Sequence, residues 1–296
     1  MTIIKIMALR HSAFYSPLLM TMAGNYLQEE GLQPEYSLAT PEKTVPDSLF
    51  NGTCHVAQSA VATSFADMEL GKPIDIVHFA QINSRDGFFL AAREPDESFN
   101  WNKLIGKKIL VDHFFQPMAM FKFALKEQGI SIDDLEIIDA GSVDEIDQSF
   151  RNGLGDYVHQ QGPAPQQMEK DGVAHVVASV GKAIGPVAFS SLCATREWCE
   201  SDMATSFMKA YRKSLNYVIE APAMDIAKQE FGAGFFPGVD IDVLANTIQA
   251  YKDLGCWEYD PVISEESYEK LLNVFLYSGL INKRYPYSQA IVKMDI

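Results

Sequence analysis

At 296 residues with a formal net charge of -15 and a pI near 4.8, the chain is too acidic to favour nucleic acid or an anionic membrane as its main partner. A hydrophobic content of 47% suits one large α/β domain or two lobes. No stretch approaches the ~18 apolar residues of a membrane span. The four cysteines, Cys54, Cys193, Cys199 and Cys256, form no CxxC pair, so free, mostly buried thiols are expected rather than a structural zinc site.

In chain order, "IIKIMAL" reads as a buried first strand. A secretory leader would need a longer apolar region and a small-residue cleavage site. As written, the chain is therefore expected to be cytoplasmic, and periplasmic if a leader has been trimmed from it. Apolar periodicity predicts strands at 3–9, 33–38, 53–58, 74–80, 86–93, 107–111, 135–139, 155–159, 174–178 and 186–194. It predicts helices at 16–30, 43–51, 60–70, 116–128, 142–152, 163–171, 201–220, 222–231, 240–254 and 264–277. Alternating strands and helices imply parallel α/β sheets with right-handed crossovers. Beyond about residue 200 the pattern is purely helical, so those helices must pack on lobes already built.

The first half contains a repeat. "LRHSAFYSPLLMTMAGNYLQEEGLQPEYSLA" and "VDHFFQPMAMFKFALKEQGISIDDLEIIDA" both run strand, charge, His, aromatics, Pro, helix, Gly, strand. Pro17 and Pro117 sit early in their helices, where a missing N–H costs little. Asn51-Gly52 and Asn152-Gly153 then end a second pair of helices and lead into "TCHVA" and "GDYVH". Two matches in one order at nearly one offset indicate two lobes of one design.

Ligands of open parallel sheets bind beyond the carboxyl ends of the strands. One lobe offers Arg10, His11, Ser12, Phe14, Tyr15, Gln58, Ser59, Gln81, Asn83 and Ser84 there. The other offers Asp112, His113, Phe114, Phe115, Gln116, His159, Gln160 and Gln161, while Ser190 and Ser191 interrupt the returning strand. Helices starting at Pro17, Ala60 and Pro117 would aim backbone N–H groups into the cleft, a setting suited to an anion. The aromatics would supply flat apolar walls.

In "SPLLMTMAGNYLQEEGLQPEYSLA", "SLFNGTCHVAQSAVATSF", "GKPIDIVHFA", "LIGKKILVDHF", "FKFALKEQGISIDDLEIIDAG" and "FRNGLGDY", the chain resembles the SsuA/THI5 (NMT1-like) branch of the type 2 periplasmic-binding-protein fold. The helical tail, with "LNYVIEAPA" and "LLNVFLYSGLI", also fits. The resemblance covers essentially the whole chain and rests on order and spacing. It implies an α/β, two-lobed Venus-flytrap architecture, each lobe a mostly parallel sheet flanked by helices. Lobe one would be 1–90 plus 191–296 and lobe two 91–190, with hinges near 91–93 and 190–192. Members are mostly solute-binding proteins of ABC importers; a minority are cytoplasmic enzymes, including a thiamine-pyrimidine synthase. Two departures stand out. His55 replaces an Asp common in the family's Gly-x-x-Asp element, whose second copy keeps Asp156. The positions of the synthase's cleft lysine and histidine fall at Ser59 and Thr63, and of its cysteine-rich stretch Cys193 alone remains.

The expected function is accordingly binding of a small polar or aromatic/heterocyclic, possibly anionic, organic compound, with no cofactor, no metal and no catalytic residue assigned. An ABC permease is the expected partner if the protein is exported. The alternative is a cytoplasmic biosynthetic enzyme using cleft His and Asp side chains as acid–base groups. The ligand-contacting residues expected are His11, Phe14, Tyr15, Gln58, Ser59, Asn83, Ser84, Asp112, His113, Phe114, Gln116, His159, Gln160 and Ser190. Asp112 can equally cap a helix, and Arg10 can pair with a surface carboxylate outside the cleft. His55, His78 and His175 read as structural, "HQQGP" as a polar loop, "FGAGFFPGVDID" as a helix–helix loop, and Met118, Phe121 and Leu125 as core.

Overall fold

The computed structural model describes residues 1–294. Its strands are β1 Thr2–Ala8, β2 Leu32–Leu38, β3 Val56–Ser59, β4 Ile76–Asn83, β5 Phe88–Ala92, β6 Lys108–Val111, β7 Glu136–Ile138, β8 Tyr157–Gln161, β9 His175–Ser179 and β10 Ser190–Thr195. The helices are α1 Ser16–Ala23, α2 Tyr26–Glu29, α3 Val45–Phe50, α4 Thr63–Glu69, α5 Phe115–Glu127, α6 Val143–Arg151 and α7 Ala164–Lys170, then α8 Val180–Ile184, α9 Arg196–Cys199, α10 Asp202–Glu220, α11 Ala223–Gly232, α12 Ile241–Leu254, α13 Glu265–Tyr277 and α14 Tyr287–Ala290. The strands form two five-stranded sheets, ordered β2-β1-β3-β10-β4 and β7-β6-β8-β5-β9.

The two orders are one pattern. In each sheet the first strand of the lobe lies between its two parallel neighbours. The fourth position is held by a strand running the other way, β10 in one sheet and β5 in the other. The sheets are therefore mixed, with one reversed strand among four that share a direction. The repeat read from sequence is visible in detail. Asn51 and Asn152 each cap a helix, α3 and α6, and the glycines after them take positive φ of 71° and 97°. His55 and Asp156 also do one job. A ring nitrogen of His55 accepts the Lys5 N–H (3.1 Å), and the Asp156 carboxylate accepts the Lys108 N–H (2.9 Å). Both are acceptors at the start of a central strand, so the exchange of Asp for His keeps the hydrogen bond.

Three expectations change. The helix expected over 16–30 breaks at Asn25, whose φ is +61°, and becomes α1 and α2. Gln58 and Ser59 close β3, and His159–Gln161 belong to β8, because pairing with Phe88–Leu90 extends that strand through the "loop". The crossings also fall earlier than 91–93 and 190–192. The chain leaves the first sheet after Asn83, enters the second at Phe88, and returns between Ser179 and Ser190.

The crossings run side by side. The Val187 N–H donates to the Ser84 carbonyl (2.8 Å) and the Phe189 N–H to the Asn83 carbonyl (3.3 Å). A Cβ at Gly181 would lie 2.1 Å from the Asp86 carbonyl oxygen, so the approach of the two segments requires glycine. The helical tail binds both lobes: α10 and α11 pack on α1, and α12 packs on α7 and α13 on α5. One continuous apolar core runs through it, with smaller clusters on the far face of each sheet. Caps fit this arrangement, with Ser142 and Glu145 forming a capping box on α6 and Asp240 starting α12.

Gly181→Ala should destabilise the fold by roughly 1–3 kcal/mol, because backbone must move to admit the methyl group. Gly232→Ala, with nothing within 4 Å of its added Cβ, should be neutral or slightly stabilising. Urea unfolding of the two variants against the wild type checks both.

Candidate functional site

The loops after β1 and β6 meet between the lobes. Arg10 donates two hydrogen bonds to Asp112, Nη1 to Oδ2 at 2.6 Å and Nη2 to Oδ1 at 3.2 Å. Their separation of 102 residues is the offset of the repeat, so equivalent positions of the two lobes carry opposite charges and grip each other. The fork-to-fork geometry makes this a strong, directional pair. Asp112 also accepts the Phe114 N–H (2.9 Å), which shapes the approach to α5. Burial alone would push the Asp112 carboxyl up, but the Arg10 hydrogen bonds and charge outweigh it and hold it below the ordinary range. The expected capping role of Asp112 is thus joined by an ion pair inside the cleft, and Arg10, expected either at the rim or paired with a surface carboxylate outside it, pairs with a carboxylate within it.

Arg10 borders three cavities. The central one, about 40 Å³, lies between Arg10, Tyr15 and Gln58 of one lobe and Phe114, Gln116 and Gln161 of the other. Its polar groups are held in place. Gln58 Oε1 accepts the Arg10 N–H, Gln116 Nε2 donates to the Phe189 carbonyl, and Gln161 Nε2 lies 3.4 Å from the Tyr15 hydroxyl. Gln116 Oε1 is buried without a partner. A second cavity of about 500 Å³ is bordered by polar and charged residues and joins Ser12 and His11 to Asp144, Arg151 and Gln160. Gln160 gives its amide N–H to the Val143 carbonyl and leaves a buried, unpartnered oxygen. The third, about 450 Å³, lies in lobe one beneath α3 and α4 and reaches Arg10 and Phe114 at one end.

Further ties cross the lobes. Ser12 donates to the Gly162 carbonyl (2.6 Å), and the Tyr251 hydroxyl accepts the Gly162 N–H (2.8 Å) while donating to the Gly87 carbonyl (3.1 Å). Tyr251, Phe189 and Gln161 were not among the expected contacts. Tyr251 lies in the helical tail, which has no counterpart in the repeat and so carried no signal.

The remaining expected residues divide. Ser190 lines the central cavity and donates to Asn83 Oδ1, while Asn83 Nδ2 holds the Phe14 carbonyl. Ser59 lines the third cavity, 3.3 Å from the Thr63 hydroxyl. Phe14 is fully buried against Tyr251 and Phe189, and Ser84 donates to the Gly255 and Cys256 carbonyls, so neither faces a cavity. Phe114 is 50% exposed and carries the Arg10 guanidinium 4.8 Å from its ring centre.

The histidines do not form one group. His11 Nε2 donates to the Phe235 carbonyl (2.6 Å), which leaves Nδ1 to accept from the Tyr36 hydroxyl (2.9 Å); burial lowers its pKa. The "FGAGFFPGVDID" loop is therefore also a support for the first cleft loop. His113 donates to the Val111 carbonyl (2.8 Å) and lines none of the three cavities. His159 is completely buried between Phe88 and Phe121, ring centres 4.6 and 5.0 Å away, with both nitrogens unpartnered. Burial pushes it down to about 3, so it stays neutral. Alternation along β8 explains the split: His159 turns to the α5 side and Gln160 to the α6 side.

A family profile described as NMT1/THI5 like matches residues 13–224. The chain belongs to this family. It is 31% identical to YtlA of Bacillus subtilis (strain 168), a protein named for an inferred binding role, over 99% of this chain and 88% of that one. Among solved structures, it is similar to the alkanesulfonate-binding protein SsuA from Xanthomonas axonopodis pv. citri, determined with MOPS bound, at 14% identity and a TM-score of 0.75 over 99% of each chain. A Staphylococcus aureus ligand-binding component of an ABC-type import system, determined with zinc bound, gives 16% identity and a TM-score of 0.76 over 99% of this chain and 97% of that one. At these identities the structures establish the type 2 periplasmic-binding-protein fold of this NMT1-like protein. No helix among the described residues is long and apolar enough to cross a membrane.

Arg10→Ala should cost roughly 2–4 kcal/mol at pH 7, since it leaves a buried carboxylate unpaired. Asp112 has a depressed folded pKa, so the pair's contribution is present above the unfolded value of about 3.9 and lost as pH falls through the folded one. The wild-type-to-variant gap in urea unfolding should therefore shrink below about pH 4. For His159 the folded value is also depressed, from 6.5 to about 3. Its neutral form favours the fold above pH 6.5, and that contribution fades as pH falls towards 3. Thermal melts of His159→Leu should show equal or higher stability at pH 7 and a smaller loss between pH 6.5 and 4 than the wild type.

Proposed function

We propose that this NMT1-like protein is the solute-binding component of an ABC-type importer, closing its lobes on a small organic molecule and passing it to a permease. The observation that carries the reading is the central cavity, walled by loops from both lobes beside the Arg10–Asp112 pair. A site shared in this way is buried when the lobes approach and opened when they part, so ligand binding and closure favour each other. The relatives named for binding and import support the role.

The lining of the cavity supports a partly planar, polar organic ligand, aromatic or heterocyclic, admitted as the lobes part. Tyr15 and Phe114 provide ring walls, and Gln116 Oε1 awaits a donor. An anionic group would find Arg10, but only by displacing Asp112 from it. The acid–base enzyme alternative draws little from the same geometry, because Asp112 is committed to Arg10 and His159 is walled in by two phenylalanines.

Native mass spectrometry of freshly purified protein should reveal a carried-over small molecule, and adding that molecule back should raise the melting temperature. Gln116→Leu should weaken its binding about tenfold or more by titration calorimetry. Unchanged affinity in both Gln116→Leu and Tyr15→Ala, with both variants folded, would show that the ligand lies elsewhere.

A further inference from the structure

The two lobes repeat each other, and each has a cavity at its paired helices, about 450 Å³ at α3 and α4 and about 500 Å³ at α6 and α7, but the two linings differ. The repeat shows why. Aligned on the caps Asn51 and Asn152, Val45 and Leu49 of α3 stand where Ile146 and Phe150 stand in α6. α4 and α7 are both seven residues long, and Asp67 is the fifth residue of one where the fully buried Met168 is the fifth of the other. Ile146, Phe150 and Met168 pack into one cluster with Val158. Lobe one has smaller or charged residues at all three places, and α3 is three residues shorter than α6 (six against nine). Leu9, Ile76 and the buried Cys193 form part of the groove's lining. Folded interiors leave few voids of this size, and small-molecule sites of this volume are common.

We infer that this groove is a second ligand compartment, which takes a hydrocarbon group, an aryl ring or a branched alkyl chain, borne by the same molecule whose polar part lies in the central cavity. The inference rests on the binding reading above. Continuity supports a single occupant: Leu9, Arg10 and Phe114 line both spaces, so a molecule at Gln116 can extend past Phe114 without crossing bulk solvent. Chemistry supports its class. The groove wall is mainly apolar, with hydroxyls such as Thr44 and Thr63 and the carboxylates of Asp67 and Asp75. Its one cation, Arg10, is paired with Asp112. An apolar group carrying a hydroxyl or amine donor suits such a lining, whereas an anion does not.

The test uses N-phenyl-1-naphthylamine, an uncharged aromatic amine whose fluorescence rises in apolar sites. The intact protein should bind it saturably. Ala39→Trp, at the groove wall, and Asp67→Met, which copies lobe two, should each weaken binding tenfold or more, while Gly232→Ala, at a residue that lines none of the three cavities, should leave it within twofold. Thermal melts establish that each variant is folded. If Ala39→Trp does not fold, Asp67→Met at its half-buried helical position carries the test. Absence of saturable binding, or equal affinity in a folded groove-filling variant, overturns the inference. So does a carried-over ligand, weakened by Gln116→Leu, that bears no hydrocarbon group larger than methyl; that result would leave the preceding reading intact.

Discussion

Each sheet of this protein holds, in its fourth position, one reversed strand that borders a crossing between the lobes. β5 follows β4 directly yet lies in the second sheet, and β10 comes back after β9 to fill the first. The second sheet forms from one continuous stretch of chain, 88–179, whereas the first needs β10, which follows that stretch. The two connections must pass at the same place, and they do so at backbone contact distance, with Asp86 against Gly181. Everything functional is placed by that constraint. The crossing sets the β1 loop of one lobe opposite the β6 loop of the other, and symmetry of the repeat then puts Arg10 against Asp112.

The electrostatics of the meeting point follow from the same symmetry. A near-twofold relation brings equivalent positions together, and like charges there would repel in a poorly solvated space. Opposite charges on otherwise matching loops turn that juxtaposition into an attraction. Burial of the pair would be costly without its geometry; two aligned hydrogen bonds and the Phe114 N–H offset the cost. The pair also divides the space around it. On one side lie the polar surfaces of Gln160 and Asp144, and on the other an apolar groove left by the shorter helix of lobe one.

The legible part of the fold was its local grammar. Helix ends at Asn51-Gly52 and Asn152-Gly153, the early prolines of α1 and α5, and the apolar runs of the strands all have short-range causes. Most helices consequently fell within two or three residues of their observed bounds. Misreadings came where a distant partner decides. "HQQGP" looks like a loop until β5 pairs with it, and the helix after Ser16 looks continuous until Asn25 takes a positive φ. Among site residues, those on the two equivalent loops were found because the repeat pointed to them. Tyr251 and Phe189 were missed because nothing local distinguishes them from core aromatics.

The sequence by itself determined that there are two copies of one strand–helix design, where their helices begin and end, and which loops share a rim. Those properties depend on caps, turns and apolar period, which act over a few residues. Only the tertiary structure decided which rim residues meet. It turned His159 into a dry core imidazole between two rings and gave Asp112 to Arg10 rather than to His113. It also lined the cavity at α3 and α4 with side chains such as Val45, Pro46 and Phe50, and the one at α6 and α7 with Asp144, Asp147 and Arg151. Such outcomes depend on side-chain direction along a strand and on volume matched across lobes, which exist only once the chain has crossed between its sheets.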